Sequence, residues 1–182
     1  MIFYIFFWLT RIKTLVYYVN IMYDVGQKVI YGESGVCTIE VIGPLKMSGA
    51  DPGKLYYHLT PLIGRGTYFA PVDSGAFMRP IISRAEAEEL IDSIPEIQPA
   101  ICNDSRFNHV DAFYKEIFKL HTPEAMVSII KGLYERMADR KTKSSRAEAT
   151  VKRAKEILHG ELSVALGIPY NEVESYITER IG

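Results

Sequence analysis

Residues 28–43 read KVIYGESGVCTIEVIG, and this stretch decides the architecture of the first half of the chain. Two runs rich in β-branched and aromatic residues, KVIY and VCTIEVI, are separated by a short turn that begins and ends with glycine. Such runs predict two short strands that pair antiparallel. The Gly43–Pro44 step then ends the second strand, because proline has no backbone N–H to donate.

Three more short strands are expected downstream, each bounded by glycine, proline or polar residues. They fall at residues 55–62, 67–72 and 77–81. Five strands of this length and spacing indicate a small antiparallel β-barrel. Pro71 cannot donate to a ladder of hydrogen bonds, which places the fourth strand at a sheet edge or places Pro71 at a strand end.

Four aromatic side chains on the third and fourth strands have two possible roles. Because side chains alternate across a strand, only half of them can face the core. The rings form either a face that binds a partner or the filling of a small barrel's interior. The sequence leaves both roles open for Tyr56, Tyr57, Tyr68 and Phe69.

From residue 83 onward the spacing of apolar residues changes from two to about 3.6, which is typical of helices. Ser83 and Glu86 have the spacing of a capping box and predict a helix to about residue 94, followed by a linker that contains two prolines. Further helices are predicted at residues 108–120, 123–140, 145–166 and 171–181. The chain is therefore expected to be α+β, with a compact helical domain of about four to five helices after the barrel.

The first 21 residues differ in composition from the rest. Residues 1–9 (MIFYIFFWL) are apolar, but they are too few to cross a bilayer, which needs about 20. We expect Met22 to be the true start and residues 1–21 to be an upstream start assignment, with a short membrane-surface anchor as the alternative. The expected division is then residues 22–82 as the barrel, 83–100 as helix and linker, and 101–182 as the helical domain.

Basic residues are concentrated in the helical half. Residues 22–100 carry six basic and ten acidic side chains, whereas residues 136–155 carry eight basic and two acidic ones. On the predicted fourth helix, Arg146, Lys152 and Arg153 fall outside the apolar face, so they are placed to meet a polyanion. The alternative interpretation is an ordinary solvated helix surface.

The sequence contains no pattern typical of a catalytic or metal site. The four histidines lack metal-ligand spacing, and there is no phosphate-binding glycine loop and no nucleophile–base motif. Cys37 and Cys102 are far apart and suit a reducing cytoplasm. We therefore expect a cytoplasmic protein that is not an enzyme and has no cofactor, bound metal, small-molecule substrate or membrane partner.

Four segments in order resemble the CarD/CdnL family of bacterial transcription regulators. They are residues 25–42 (VGQKVIYGESGVCTIEVI), 67–73 (TYFAPVD), 78–83 (MRPIIS) and 152–167 (KRAKEILHGELSVALG). The resemblance covers nearly all of residues 22–182. It implies a Tudor or SH3-like barrel that binds the lobe of the RNA polymerase β subunit, a module shared with transcription-repair coupling factors. It also implies a helical domain that contacts promoter DNA at the upstream edge of the bubble and stabilises the open complex.

The same resemblance assigns residues to these contacts by position. The polymerase-facing segment would comprise Thr67, Tyr68, Phe69 and Pro71. The family's basic late helix corresponds to Arg146, Lys152, Arg153 and Lys155. A tryptophan that wedges into the minor groove in actinobacterial relatives corresponds to His109, and imidazole can donate hydrogen bonds there but separates base steps poorly.

Two other functions stay open at this stage. The first is an interaction adaptor whose Tudor-like face binds a peptide or protein, with no DNA contact. The second is an RNA-binding module, because exposed aromatic rings on a small barrel can stack on unpaired bases.

Overall fold

The computed structural model describes residues 23–51, 53–73, 77–104, 106–138 and 145–182. The expected leader, residues 1–21, lies outside this part of the chain. Within it the fold is α+β, as predicted: an antiparallel sheet of five strands precedes five α-helices. No helix in the described ranges is long and apolar enough to cross a bilayer.

The elements follow the predicted order along the chain. The strands are β1 (Lys28–Tyr31), β2 (Val36–Gly43), β3 (Tyr56–Pro61), β4 (Tyr68–Pro71) and β5 (Met78–Pro80). The helices are α1 (Arg84–Ser93), α2 (Phe107–Phe118), α3 (Pro123–Ala138), α4 (Ser145–Leu166) and α5 (Val173–Ile181). The last helix begins two residues later than predicted, because Tyr170–Glu172 forms a 3-10 turn.

Several helix ends form the caps that the sequence predicts. The Ser83 hydroxyl accepts the Glu86 N–H at 3.2 Å, and the Glu86 carboxylate accepts the Ser83 N–H at 2.7 Å, which completes the capping box before α1. Thr122 accepts the Ala125 N–H at the start of α3. Gly167 has a φ of 70° and ends α4 in the left-handed conformation that glycine favours.

The sheet has the order β4-β3-β2-β1-β5, with antiparallel pairing throughout. The antiparallel pairing is therefore confirmed, whereas the predicted barrel is open: no ladder joins β4 to β5 in the described residues. Pro71 is the last residue of an edge strand, as its missing N–H requires. The buried side chains of the sheet form their own cluster, which comprises Tyr23, Val29, Cys37, Ile39, Tyr57, Leu59 and Ala70.

The helices share a second, larger core. Val151, Ala154, Leu158 and Leu162 of α4 are buried in it, as the predicted apolar face of that helix requires. Helix α1 contributes Ala87, Leu90 and Ile91 to the same cluster.

The segment after α1 lies across α3, where the Ala100 N–H donates to the Ser128 carbonyl at 2.9 Å. Lys131 of α3 donates to three carbonyls of that segment, those of Ile94, Pro95 and Ile97.

Helix α4 also packs against the sheet. A Cβ placed on Gly160 would lie 3.8 Å from Cγ2 of Val36 in β2, and one placed on Gly35 would lie 3.5 Å from Cα of Ile157. Both distances are ordinary van der Waals contacts, so α4 packs directly against the sheet. As a result, the surfaces of the sheet and of α4 are held in a fixed relation to each other.

Candidate functional site

Strand β4 forms one open edge of the sheet. It carries Tyr68, Phe69 and Pro71, which are predicted to contact polymerase, and the fourth predicted residue, Thr67, lies exposed just before the strand. The Val72 N–H donates to the Leu55 carbonyl at 2.9 Å, on the β3 side. Because bonded groups alternate along an antiparallel strand, the backbone groups of Phe69 and Pro71 point to the open edge. An edge of this kind can pair with a strand of a partner.

Phe69 belongs to a row of three side chains that crosses three strands on one face of the sheet. It lies opposite His58 of β3, and His58 lies opposite Val41 of β2. Phe69 is 37% exposed and Val41 is 48% exposed. The rings of Phe69 and His58 meet edge to face, with centroids 5.0 Å apart. We call Val41, His58 and Phe69 the Phe69 stripe, in which two exposed apolar side chains flank the half-buried imidazole of His58.

The aromatic residues of β3 and β4 divide between core and surface, as alternation requires. Tyr57 is buried, and its hydroxyl accepts the backbone N–H of Tyr23 at 3.1 Å. Tyr68 is 40% exposed, and its ring centroid lies 5.9 Å from that of Tyr31 in β1. Tyr56 is half-buried and shares the face of the Phe69 stripe. The core role is therefore confirmed for Tyr57, whereas a partner-binding role for the exposed Tyr68 and Phe69 stays a prediction.

The basic residues predicted on the late helix lie on two different faces of α4. Arg146 and Arg153 are seven residues apart, so they share one face, and both line a cleft against α2. Lys152 and Lys155 line a separate groove, which is bounded by Tyr134 of α3 and by the turn at Tyr170. The predicted basic patch is thus divided between two surfaces.

The cleft between α2 and α4 has a volume of about 440 Å³. Arg146 Nη1 lies 3.0 Å from Oδ2 of Asp111 in α2. Arg153 forms an ion pair with Glu33, which lies in the turn between β1 and β2. The Arg153 guanidinium also lies 5.3 Å from the ring centroid of Phe118, within the range of a cation–π contact. The α2–α4 cleft therefore combines two arginines, each with a carboxylate partner.

The lysines of α4 have different surroundings. Lys155 Nζ lies 2.5 Å from Glu174 Oε1 and 5.5 Å from the ring centroid of Tyr134, and its side chain is only 22% exposed. Burial would lower the pKa of Lys155, but its hydrogen bonds with Glu174 and Tyr134 outweigh burial and raise it. Lys152 is 78% exposed, 3.9 Å from the Glu156 carboxylate. Lys155 is thus held in its groove, whereas Lys152 is open to solvent.

His109 lies near the start of α2 and is half exposed. Its Nδ1 is 2.8 Å from Oδ2 of Asp104. Arg106 donates to the same carboxylate at 2.8 Å, and the hydrogen bonds from Arg106 and then His109 hold the pKa of Asp104 well below its usual range. The ionised carboxylate of Asp104 therefore orients the imidazole of His109. His109 lies two residues before Asp111, the residue of α2 that contacts Arg146 of α4.

Four residues of these surfaces do not emerge from the sequence analysis. His58 follows the alternation of β3, so the pattern contained a signal for its outward face. Val41 does not follow the alternation of β2, because the register shifts between the buried Ile39 and Val41 and leaves Val41 exposed. Glu33 and Asp111 contact arginines that are distant in the chain, and no local pattern predicts such pairs.

In the described ranges, no group of three or more histidine, cysteine or acidic residues is placed to hold a metal ion. No protein-family model and no curated protein matches the chain.

Proposed function

We propose that this protein is a transcription regulator that binds the lobe of the bacterial RNA polymerase β subunit and contacts promoter DNA. The sheet would bind polymerase, the helical half would contact DNA near the upstream edge of the bubble, and the two contacts together would stabilise the open complex. The observation that carries this proposal is the Phe69 stripe beside an open strand edge, within the segment that resembles the CarD/CdnL family.

The curvature of the sheet supports a Tudor-like fold for the polymerase-binding half. Tyr31 of β1 and Tyr68 of β4 have ring centroids 5.9 Å apart, although β2 and β3 lie between their strands. A flat sheet would separate these strands by about 14 Å, at about 4.8 Å per strand. The close approach of the two rings supports a sheet that curls over its core, as expected of a Tudor-like barrel.

Two features of β4 support a protein partner on this face. Its free edge offers the Phe69 N–H and carbonyl for pairing with a partner's strand, which is a recurring mode of recognition. The exposed ring of Phe69 adds apolar area beside that edge, and aromatic residues are enriched among side chains that dominate interface energies. Backbone pairing would supply affinity, and the stripe would supply selectivity.

Capture of bacterial RNA polymerase core enzyme by the full chain tests the polymerase contact. Replacing Phe69 with alanine is expected to weaken binding by about 2 kcal/mol, or about thirtyfold in Kd, as for a central aromatic contact. Ile101→Ala is the matched control, because Ile101 is exposed but lies in the helical half. Equal affinities for the two variants would refute the proposed face, and no capture by the wild-type protein would refute the polymerase contact itself.

One observation favours the alternative function of a protein-binding adaptor without DNA contact. Each side chain proposed for DNA has an acidic partner within the protein, as in the pairs His109–Asp104, Arg146–Asp111, Lys152–Glu156, Arg153–Glu33 and Lys155–Glu174. A forked promoter duplex at two salt concentrations distinguishes the functions. A regulator would bind the DNA in a salt-sensitive manner, whereas an adaptor would not bind at either concentration.

A further inference from the structure

We propose that the α2–α4 cleft binds two phosphates of one DNA strand, and that Glu33 and Asp111 are internal counter-ions that these phosphates displace. The proposal rests on the proposed function, because it specifies how the helical half meets DNA. It assigns the phosphate contacts to Arg146 and Arg153 rather than to the whole basic patch.

The spacing of the two arginines fits a nucleic-acid backbone. Seven residues of helix span about 10.5 Å along the axis of α4. On B-form DNA the phosphates of one strand rise about 3.4 Å per nucleotide and also wind around the axis, so a span of about 10.5 Å lies between the separations of phosphates about one and about two nucleotides apart. Lys115 of α2 lines the same cleft and adds a third cation beside the two guanidinium groups.

The carboxylates in the cleft are replaceable partners. In the Arg146–Asp111 pair the two side chains are 63% and 49% exposed to solvent. In the Arg153–Glu33 pair they are 50% and 29% exposed, so Glu33 is less accessible than Asp111. Exposed ion pairs of this kind contribute little to stability, so exchange for another anion costs the fold little. A phosphate, like a carboxylate, can accept two parallel hydrogen bonds from a guanidinium, so it can take the place of the carboxylate.

The other groove of α4 lacks these properties. The Lys155 side chain is largely buried between Glu174 and the ring of Tyr134, so a phosphate would have to displace both contacts. An ammonium also offers no planar pair of donors, unlike a guanidinium. The groove around Lys155 is therefore an unfavourable phosphate site, although it lies on the same helix.

The counter-ions lower the affinity of the cleft in two ways. Glu33 and Asp111 occupy the donors of the arginines, and their negative charges repel an approaching phosphate. Glu33 belongs to the sheet, so the half that is proposed to bind polymerase also supplies a group that limits DNA binding. In this arrangement the free protein would bind DNA weakly, and the tethering supplied by polymerase would raise the effective DNA concentration.

Binding of the full chain to a forked promoter duplex, measured at several salt concentrations, tests this inference. Neutralising Glu33 or Asp111, as Glu33→Gln or Asp111→Asn, is expected to raise affinity about threefold to tenfold, because each removes one charge at close range. Glu174→Gln is the matched control: it removes a paired carboxylate from the other groove and is expected to change affinity less than about twofold. Arg153→Gln is expected to reduce the salt slope by about 0.9, the value for one lost phosphate contact.

The outcomes separate this inference from the proposed function. Equal effects of Glu33→Gln and Glu174→Gln would overturn the inference, because net charge alone would then explain the gain. Wild-type binding that is salt-sensitive, with no gain from either neutralised carboxylate, would also overturn it while leaving the DNA contact intact. If neither the wild-type protein nor any variant binds the duplex, the inference and the proposed DNA contact fail together. Thermal unfolding of each variant confirms that the fold is retained.

Discussion

Arg79 in β5 and Glu161 in α4 form a two-pronged ion pair that joins the sheet to the helices. Arg79 Nη2 lies 2.7 Å from Glu161 Oε2, and Nη1 contacts the other carboxylate oxygen. The Glu161 side chain is 1% exposed and also accepts the Ile82 N–H at 3.2 Å. Arg79 Nε donates to the His121 carbonyl, in the turn between α2 and α3, at 3.0 Å. One guanidinium therefore connects β5, α4 and this turn.

Replacing Arg79 with alanine is expected to lower the free energy of unfolding by about 3–5 kcal/mol, because it leaves the Glu161 carboxylate buried without its cation. Urea unfolding measures this loss. Lys54→Ala is the matched control, since the Lys54–Asp73 pair is exposed on both sides, and its removal is expected to cost less than about 1 kcal/mol. Equal losses for the two variants would contradict the role assigned to the Arg79–Glu161 pair.

Two helical glycines are expected to respond oppositely to alanine. A Cβ on Gly132 of α3 would lie 2.0 Å from the Ala100 carbonyl oxygen, whereas a Cβ on Gly160 of α4 would meet its neighbours at 3.6 Å or more. Gly132→Ala should therefore displace the segment after α1 and lower stability by about 1–3 kcal/mol. Gly160→Ala should raise stability by up to about 1 kcal/mol through the better helix propensity of alanine. Thermal unfolding of both variants measures these changes. A Gly132→Ala variant as stable as the wild-type protein would contradict the close contact between Gly132 and Ala100.

The stability of the protein is expected to fall on mild acidification. Burial and the charge of Lys155 lower the pKa of His159, and burial lowers the pKa of His121. Both imidazoles therefore bind protons more readily in the unfolded chain. Stability is complete above their ordinary pKa of about 6.5 and declines as the pH falls below it toward the lowered values.

Urea unfolding at pH 8 and at pH 5.5 measures this effect. The wild-type protein should lose stability between the two conditions, and His159→Gln should lose less, because its side chain does not titrate. An unchanged pH dependence in His159→Gln would show that this imidazole is not protected from protonation. His121→Gln provides the same comparison at the interface of the sheet with the helices.

Local patterns predicted most of the elements, because each depends on residues that are close in the chain. The capping box of Ser83 and Glu86, the stop at Gly167 and the edge position of Pro71 all follow from backbone donors and dihedral preferences. The antiparallel sheet was likewise predictable from short alternating runs. The barrel that the sequence also predicted is not closed in the described residues, because closure depends on how far the whole sheet curls and not on any local run.

The candidate surfaces were only partly predictable. Phe69 and Arg153 were identified, but Val41 joins His58 and Phe69 only through the register shift between Ile39 and Val41, which the alternation of β2 does not predict. The division of the basic residues of α4 follows from helical geometry, since Arg146 and Arg153 share one face. Their partners Glu33 and Asp111 come from other elements, so only the folded chain brings them together.

The lifetime of the polymerase–promoter open complex, measured after addition of a competitor DNA, tests the account most directly. The wild-type protein is expected to prolong this lifetime, Phe69→Ala to lose the effect through weaker polymerase binding, and the double variant Lys152→Glu, Arg153→Glu to lose it while still binding polymerase. Ile101→Ala should act like the wild-type protein. A lifetime that the wild-type protein leaves unchanged, or a double variant as effective as the wild-type protein, would contradict the proposed joint contact with polymerase and DNA.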